Sequence, residues 1–404
     1  MSTTMAPPAT AARPVGARRS GYLYQLDFVR VITFLLVIFL HTLTNTNNEV
    51  GGTVTDAIAL NLHFTRNAFF ALTGLVLAYG TLDKPRLRPL QFWRKRLPLV
   101  TIPFVLWAVA YWVFDMVTTG HFTRIPVSLG DLWENVVWGG LNGYQLYFIF
   151  VTIQAYALFP ALLWLVRKTS GHHLRLLTVS AALQLGMYVA ITHWAPTTGW
   201  WGQHWWHAYA TFLPYQFFIV LGAVTAAHRE RVEAALVRHA PLVFAASAIT
   251  IVGEQLLYRL QLRGGAVPID ASGAFQPSSM VLYVVLIAAI YTIGLLLARN
   301  MERLPRLTAV ASYGAKRSFG VFLAHVMVLS LLLLPKQGTQ PWLLAHVSAP
   351  WATLLAYAVT VAVTVVIVEL LSRAPKAQWW VGRKRPAKKQ SAKAASDRQP
   401  VPVG

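Results

Sequence analysis

The chain has 404 residues, 56% hydrophobic and only 12% charged, with a formal net charge of +21 and a mean hydropathy of +0.49. That balance excludes an ordinary water-soluble protein and describes a multispanning membrane protein. The basic residues fall in short loops between apolar runs, which reads as membrane topology and not as a nucleic-acid surface; cysteine is absent, which excludes structural disulfides and thiolate chemistry.

Residues 1–20 are rich in Ala, Pro and Thr and carry Arg13, Arg18 and Arg19, the composition of a disordered cytosolic tail. No small-residue cleavage site follows the next apolar run, so that run is read as an uncleaved first span. Apolar runs near the ~20 residues that a bilayer requires then recur at 23–43, 64–80, 97–117, 145–166, 174–194, 209–227, 240–260, 280–298, 318–334 and 350–371. The expected fold is therefore all-α: a polytopic membrane bundle of about ten transmembrane helices over residues 21–372. With a cytosolic N-terminus, 29 of the 35 Lys and Arg lie on the inner side and five on the outer, so both termini are expected in the cytosol of a multi-pass cell-membrane protein. Residues 373–404 are basic and lack apolar periodicity, an expected disordered tail. Its Arg383-Lys384-Arg385 and Lys388-Lys389 suit anionic lipid headgroups at about 1 kcal/mol per charge, or serve only as a topology anchor.

The first span carries the sharpest signal. A charged side chain in hydrocarbon costs a few kcal/mol, so an intramembrane Arg or His is seldom incidental. Arg30 and His41 are eleven residues apart, three helical turns plus about 20°, so they share one stripe some ~16 Å apart along the axis. They cannot touch each other, but they can touch two ends of one elongated ligand. An imidazole suits proton removal from a hydroxyl, and Asn45, one turn on, is placed to orient the His41 ring. A histidine bonded only to a neighbouring helix is the plainer reading. Arg30 has two uses open to it: an ion pair with Asp27, or a phosphate or carbonyl of an anionic ligand.

Farther along, Lys84, Arg86, Arg88, Arg94, Lys95 and Arg96 crowd the loop before the third span, a density that suits the phosphates of a donor such as coenzyme A as well as inner-side anchoring. The loop before the sixth span holds Trp200, Trp201, Trp205 and Trp206, either an interfacial belt or a platform for sugar faces. His204 and His207 lack a third ligand, so no metal is expected. His325 in the ninth span and Glu254 near the outer end of the seventh are further intramembrane polar groups; Glu254 is placed to orient a histidine or to meet Arg66. Glu369 has Arg373 four residues on as its natural partner.

Five ordered blocks carry a resemblance: Leu26-Asp27-Phe28-Val29-Arg30 with His41, Phe69-Phe70-Ala71-Leu72-Thr73-Gly74, Trp93-Arg94-Lys95-Arg96 with Ile102-Pro103-Phe104, Tyr147 with Gln154-Ala155-Tyr156 and Pro160, and Ser318-Phe319-Gly320-Val321-Phe322-Leu323-Ala324-His325. From about Tyr22 to Leu371 the chain resembles the acyltransferase-3 family of integral membrane O-acyltransferases. The resemblance implies a ten-helix enzyme that moves an acyl group, often acetyl, from cytosolic acyl-CoA to a hydroxyl of a surface or secreted carbohydrate. It makes Arg30 and His41 the essential residues and gives Arg94, Lys95 and Arg96 the donor, with Arg96 where the first arginine of the family's inner-loop pair stands. Leu99 replaces the second arginine, and Thr73 stands where serine is usual.

The substrate-side candidates are then Trp200, Trp201, Trp205, Trp206, Glu254 and His325, with membrane lipids around the bundle and neither a permanently bound cofactor nor nucleic acid expected. His41 either deprotonates the acceptor hydroxyl or carries the acyl group transiently. A carrier or flippase for a polysaccharide or lipid-linked precursor, with Arg30, Glu254 and His325 along its path, is the competing reading, and a structural partner without chemistry is a third.

Overall fold

Apolar segments in a bilayer must satisfy their backbone groups internally, and this chain does so with helices; no strand occurs among the described residues. The computed structural model describes residues 22–47, 52–119, 144–334 and 341–383, with a few positions between 129 and 136. In chain order the helices are α1 (Tyr24–Thr46), α2 (Thr53–Leu62), α3 (Phe64–Tyr79), α4 (Pro89–Arg96), α5 (Pro98–Thr119), α6 (Tyr147–Lys168) and α7 (His173–His193). They continue as α8 (Gln216–Ala227), α9 (Arg229–Arg238), α10 (Ala240–Arg263), α11 (Ser279–Arg299), α12 (Pro305–Leu332), α13 (Ala349–Arg373) and α14 (Ala377–Val381), with single-turn pieces in some of the connections.

Eight of these segments are long and apolar enough to cross a bilayer: α1, α4 with α5, α6, α7, α10, α11, α12 and α13. The second and sixth expected spans are shorter, 16 residues in α3 and 12 in α8. At ~1.5 Å per residue neither reaches across ~30 Å of hydrocarbon. Both are mostly buried against protein, where a short helix meets little lipid. They also lie directly against each other, backbone to backbone. A Cβ on Gly74 would collide with the Ile219 carbonyl, and one on Gly222 with the Ala71 carbonyl, so each glycine admits the other helix's backbone.

α1 runs through the centre, packed on α3, α11, α12 and α13. Gly294 on α11 sits against the Gln25 carbonyl at its start, again a contact that only a missing side chain permits. The ninth expected span, 318–334, begins earlier than its apolar run: α12 starts at Pro305 and carries Lys316 and Arg317 on helix. Its charged first turns are supported from α13, where Glu369 accepts from Arg317 Nε at 2.6 Å and from Tyr313 at 3.0 Å, besides its expected partner Arg373.

The expected tail needs one correction. Residues 374–383 fold back as α14, burying Ala377 and Val381, and the Trp380 carbonyl accepts from Trp107 Nε1 at 3.0 Å. A five-residue helix is too short to show periodicity, which is why the basic composition around it hid its apolar side. Residues 384–404, with the rest of the basic tail, and residues 1–20 lie outside the described residues.

Candidate active site

The chemistry gathers along the Arg30–His41 stripe of α1, in two cavities. His41 opens on one of about 240 Å³. His325, on the facing side of α12, is fully buried and lines neither cavity. Its Nε2 stands 3.0 Å from His41 Nδ1, with the rings stacked at 5.1 Å. The remaining nitrogen, His325 Nδ1, lies 2.8 Å from the Phe322 carbonyl and 3.2 Å from that of Val321.

Those distances assign the tautomers. A carbonyl only accepts, so His325 Nδ1 carries the hydrogen and its Nε2 is an acceptor. With both rings neutral, His41 Nδ1 must then donate, which leaves His41 Nε2 unprotonated. The chain thus builds a histidine whose outer nitrogen is a base, held in that tautomer by a second histidine. Asn45, which the sequence reading placed to orient the ring, donates 2.7 Å to the His41 backbone carbonyl, and His325 contacts the ring itself.

Around the same cavity stand His63, Arg66, Gln145 and Tyr147. Arg66, near the start of α3, donates from Nη1 to Tyr147 Oη at 3.2 Å and from Nη2 to the Ala274 carbonyl at 3.1 Å. Its guanidinium lies 4.4 Å from the Phe275 ring centre and 5.0 Å from that of Tyr215.

The second cavity, about 300 Å³, is basic: Arg30, Arg96, Lys316 and Arg383 line it, and no carboxylate does. Arg30 is half-buried, whereas the other three are exposed at the mouth. The ion pair anticipated between Asp27 and Arg30 does not form. Asp27 accepts instead from Tyr22 at 2.8 Å and from Ser312 at 2.9 Å, which ties α1 to α12. Burial, and then the bond to Asp27, push the Tyr22 hydroxyl up to about 12, so it remains a donor. Arg30 is left facing the cavity with no hydrogen bond or ion pair among the described residues.

Phe69, Phe148 and Phe322 belong to the walls of both cavities. Their ring centres are 4.9 Å (Phe148–Phe322), 5.6 Å (Phe69–Phe148) and 6.3 Å (Phe69–Phe322) apart. Three helices, α3, α6 and α12, thus contribute one ring each to an apolar collar between the basic cavity and the histidine cavity.

Other anticipated site residues fall elsewhere. Arg94 and Lys95 are exposed on α4 and line neither cavity, because they point away from the face of Arg96. Leu99 does line the basic cavity. Glu254 makes no ion pair with Arg66; it is buried between α10 and α11 and accepts from Ser278 at 2.8 Å and Ser279 at 2.6 Å. Trp200 and Trp201 are exposed on a short helix, Gly199–His204, and with Trp205 stay off both cavities. The Trp206 side chain lies outside the described residues.

Sequence reasoning missed Lys316 and His63 as lining residues, and it named Arg383 only as a headgroup or topology anchor and Arg66 only as a partner for Glu254. No group of His, Asp or Glu suited to a metal ion occurs among the described residues.

Comparison with known proteins agrees with this architecture. A family model described as an acyltransferase domain, that of the acyltransferase-3 family, matches residues 23–369, most of the chain and both cavities apart from the α14 side. No curated protein and no solved structure matches it.

Proposed function

The chain belongs to the acyltransferase-3 family and is a multi-pass membrane acyltransferase, and from that premise we propose that it moves an acyl group, acetyl by preference, from cytosolic acyl-CoA to a carbohydrate hydroxyl across the membrane. One observation carries the proposal: Arg30 and His41 share one helix stripe yet face two different cavities, which have the Phe69, Phe148 and Phe322 rings as a common wall.

On this reading the basic end of the bundle is cytosolic. Arg30 grips a phosphate of the donor deep in the basic cavity, and Arg96, Lys316 and Arg383 gather the remaining negative charge at its mouth. The pantetheine arm passes between the three rings, which part to admit a slender chain and close behind it against bulk water. Its thioester then meets the acceptor hydroxyl beside His41.

His41 Nε2 takes the hydroxyl proton, and the imidazolium that forms keeps its Nδ1–H bond to His325. General-base catalysis fits this tautomer directly, since a base needs the bare nitrogen on the substrate side. The exposed Trp200 and Trp201 rings offer the flat apolar surface on which sugar C–H faces pack, a place for the acceptor to collect before it reaches the cavity.

The test is transfer from labelled acetyl-CoA by the purified protein in sealed proteoliposomes. The reading requires acetyl loss from the donor that His41→Ala abolishes while the variant still elutes as a folded monodisperse species. Movement of a glycan across the membrane without acyl consumption, unaffected by His41→Ala, would instead make the protein a carrier.

A further inference from the structure

Arg66 is a cation in the histidine cavity with no acidic partner among the described residues, and the acyl-transfer scheme so far gives it no task. Such a group is expensive to keep buried among apolar side chains, which solvate charge poorly. Its surroundings hold it without neutralising it. Two ring faces, Phe275 and Tyr215, lie against the guanidinium, the Tyr147 hydroxyl and the Ala274 carbonyl fix its two terminal nitrogens, and the net charge survives. The Nε–H is buried and has no hydrogen-bond partner among the described residues. A fixed, undischarged guanidinium with a spare donor fits a charge that exists only briefly during the reaction.

From this geometry we infer that Arg66 is a catalytic residue that stabilises the oxyanion of the tetrahedral intermediate. The inference rests on the acyl-transfer reading given above. In the step assigned to it, His41 Nε2 removes the acceptor hydroxyl proton as the hydroxyl oxygen forms a bond to the thioester carbonyl carbon. The carbonyl π pair moves onto its oxygen, and Arg66 Nε–H donates to that oxyanion. When the pair returns to re-form the carbonyl, the C–S bond breaks and the departing coenzyme A thiolate takes the proton from His41 Nε2, which leaves free thiol, ester and neutral imidazole. Acceptor and donor atoms balance, and no further reactant is needed.

The arrangement divides the two cations of the path by task. Arg30, in the basic cavity, meets a charge the donor carries throughout, so it contributes binding. Arg66, in the wall of the His41 cavity, meets a charge created in the transition state, so it contributes rate. Tyr147 and Phe275 act through Arg66 as positioning residues, since neither presents a cation to the reacting carbonyl.

The experiment measures acetyl-CoA turnover by the full chain in nanodiscs, first with water and then with a simple glycoside as acceptor, for wild type, Arg66→Gln, Arg66→Lys and His41→Ala. Removing one oxyanion donor is expected to lower kcat by about 10²–10³ in both reactions, with KM for acetyl-CoA within about twofold of wild type. Arg66→Lys keeps the charge over the rings but lacks the Nε–H, so it serves as the structural control and should recover only part of the loss. Hydrolysis at the wild-type rate in either variant, with a loss confined to KM for the glycoside, would show that Arg66 binds an anionic acceptor and overturn the assignment. Inactive His41→Ala beside fully active Arg66 variants would overturn it while leaving acyl transfer intact. Wild-type protein that consumes acetyl-CoA with neither acceptor would remove both.

Discussion

His325 Nε2 accepts from His41 Nδ1 at 3.0 Å, across a separation of 284 residues in the chain. The bond sets which His41 nitrogen faces substrate, and because His325 is itself fixed by the Phe322 carbonyl, the tautomer is decided by backbone geometry and not by solvent. His325→Ala is expected to lower kcat by about 10²–10⁴, the usual scale of a lost general base, with KM for the donor unchanged. His325→Gln, whose carbonyl oxygen still accepts a hydrogen bond, should restore part of the rate. Steady-state kinetics of both variants checks this, and an unchanged kcat in His325→Ala would count against the tautomer argument.

Arg30 is the half-buried cation of the basic cavity, and Arg96, Lys316 and Arg383 are the exposed ones. A charge-assisted hydrogen bond contributes about 1.5–3 kcal/mol, so Arg30→Gln should raise KM for acyl-CoA by about 10- to 100-fold. The three at the mouth are screened by salt. Replacing any of them should weaken donor binding less, and the difference from wild type should shrink as ionic strength rises. Titrating donor binding at several salt concentrations separates the two behaviours.

The phenylalanine collar makes a prediction about leakage. Phe322→Ala widens the junction of the two cavities, and the expected result is faster hydrolysis of acetyl-CoA relative to transfer, because water gains the passage. Phe148→Trp should do the reverse and slow both reactions. A hydrolysis-to-transfer ratio that stays constant across the two variants would show that the rings do not control the passage.

At the α3–α8 contact, Gly74 and Gly222 leave no room for a methyl group. Overpacking costs about 1–3 kcal/mol even where side chains shift, and here each Cβ meets backbone. Gly222→Val and Gly74→Val should lose yield and melt early, by fluorescence-detected gel filtration, whereas Gly186→Ala on α7, where a Cβ meets nothing, should not.

His173, the first residue of α7, and His228, between α8 and α9, form a second histidine pair, 2.7 Å between Nδ1 and Nε2. Burial, with the neighbouring His173 and Arg231, holds His228 below its usual range. The unfolded chain takes up its proton near pH ~6.5 while the folded one resists. The pair therefore favours the fold fully above that pH and loses ground as pH falls below it. His228 is exposed, so the effect is small. Melting temperatures at pH 7.5 and 5.5 should differ more in wild type than in His228→Gln.

Read in order, the residues alone determined that this is a helical membrane protein, where its long apolar runs lie, and that Arg30 and His41 share a face of α1. Each of these follows from local physics: run length against bilayer thickness, charge between runs, and 3.6 residues per turn. The tertiary structure decided the rest. It paired His41 with His325, brought Lys316 and Arg383 from two distant segments to the mouth of the Arg30 cavity, and set Arg66 in the wall of the His41 cavity. It also turned three phenylalanines, of which only Phe69 and Phe322 fall in the motifs, into a common wall between cavities. Helical periodicity specifies which side of a helix is buried, but it carries no term for the neighbour on that side. That partner is chosen by packing between helices far apart in the chain, as Gly74 against Gly222 shows, and packing is what placed the base, the cations and the passage together.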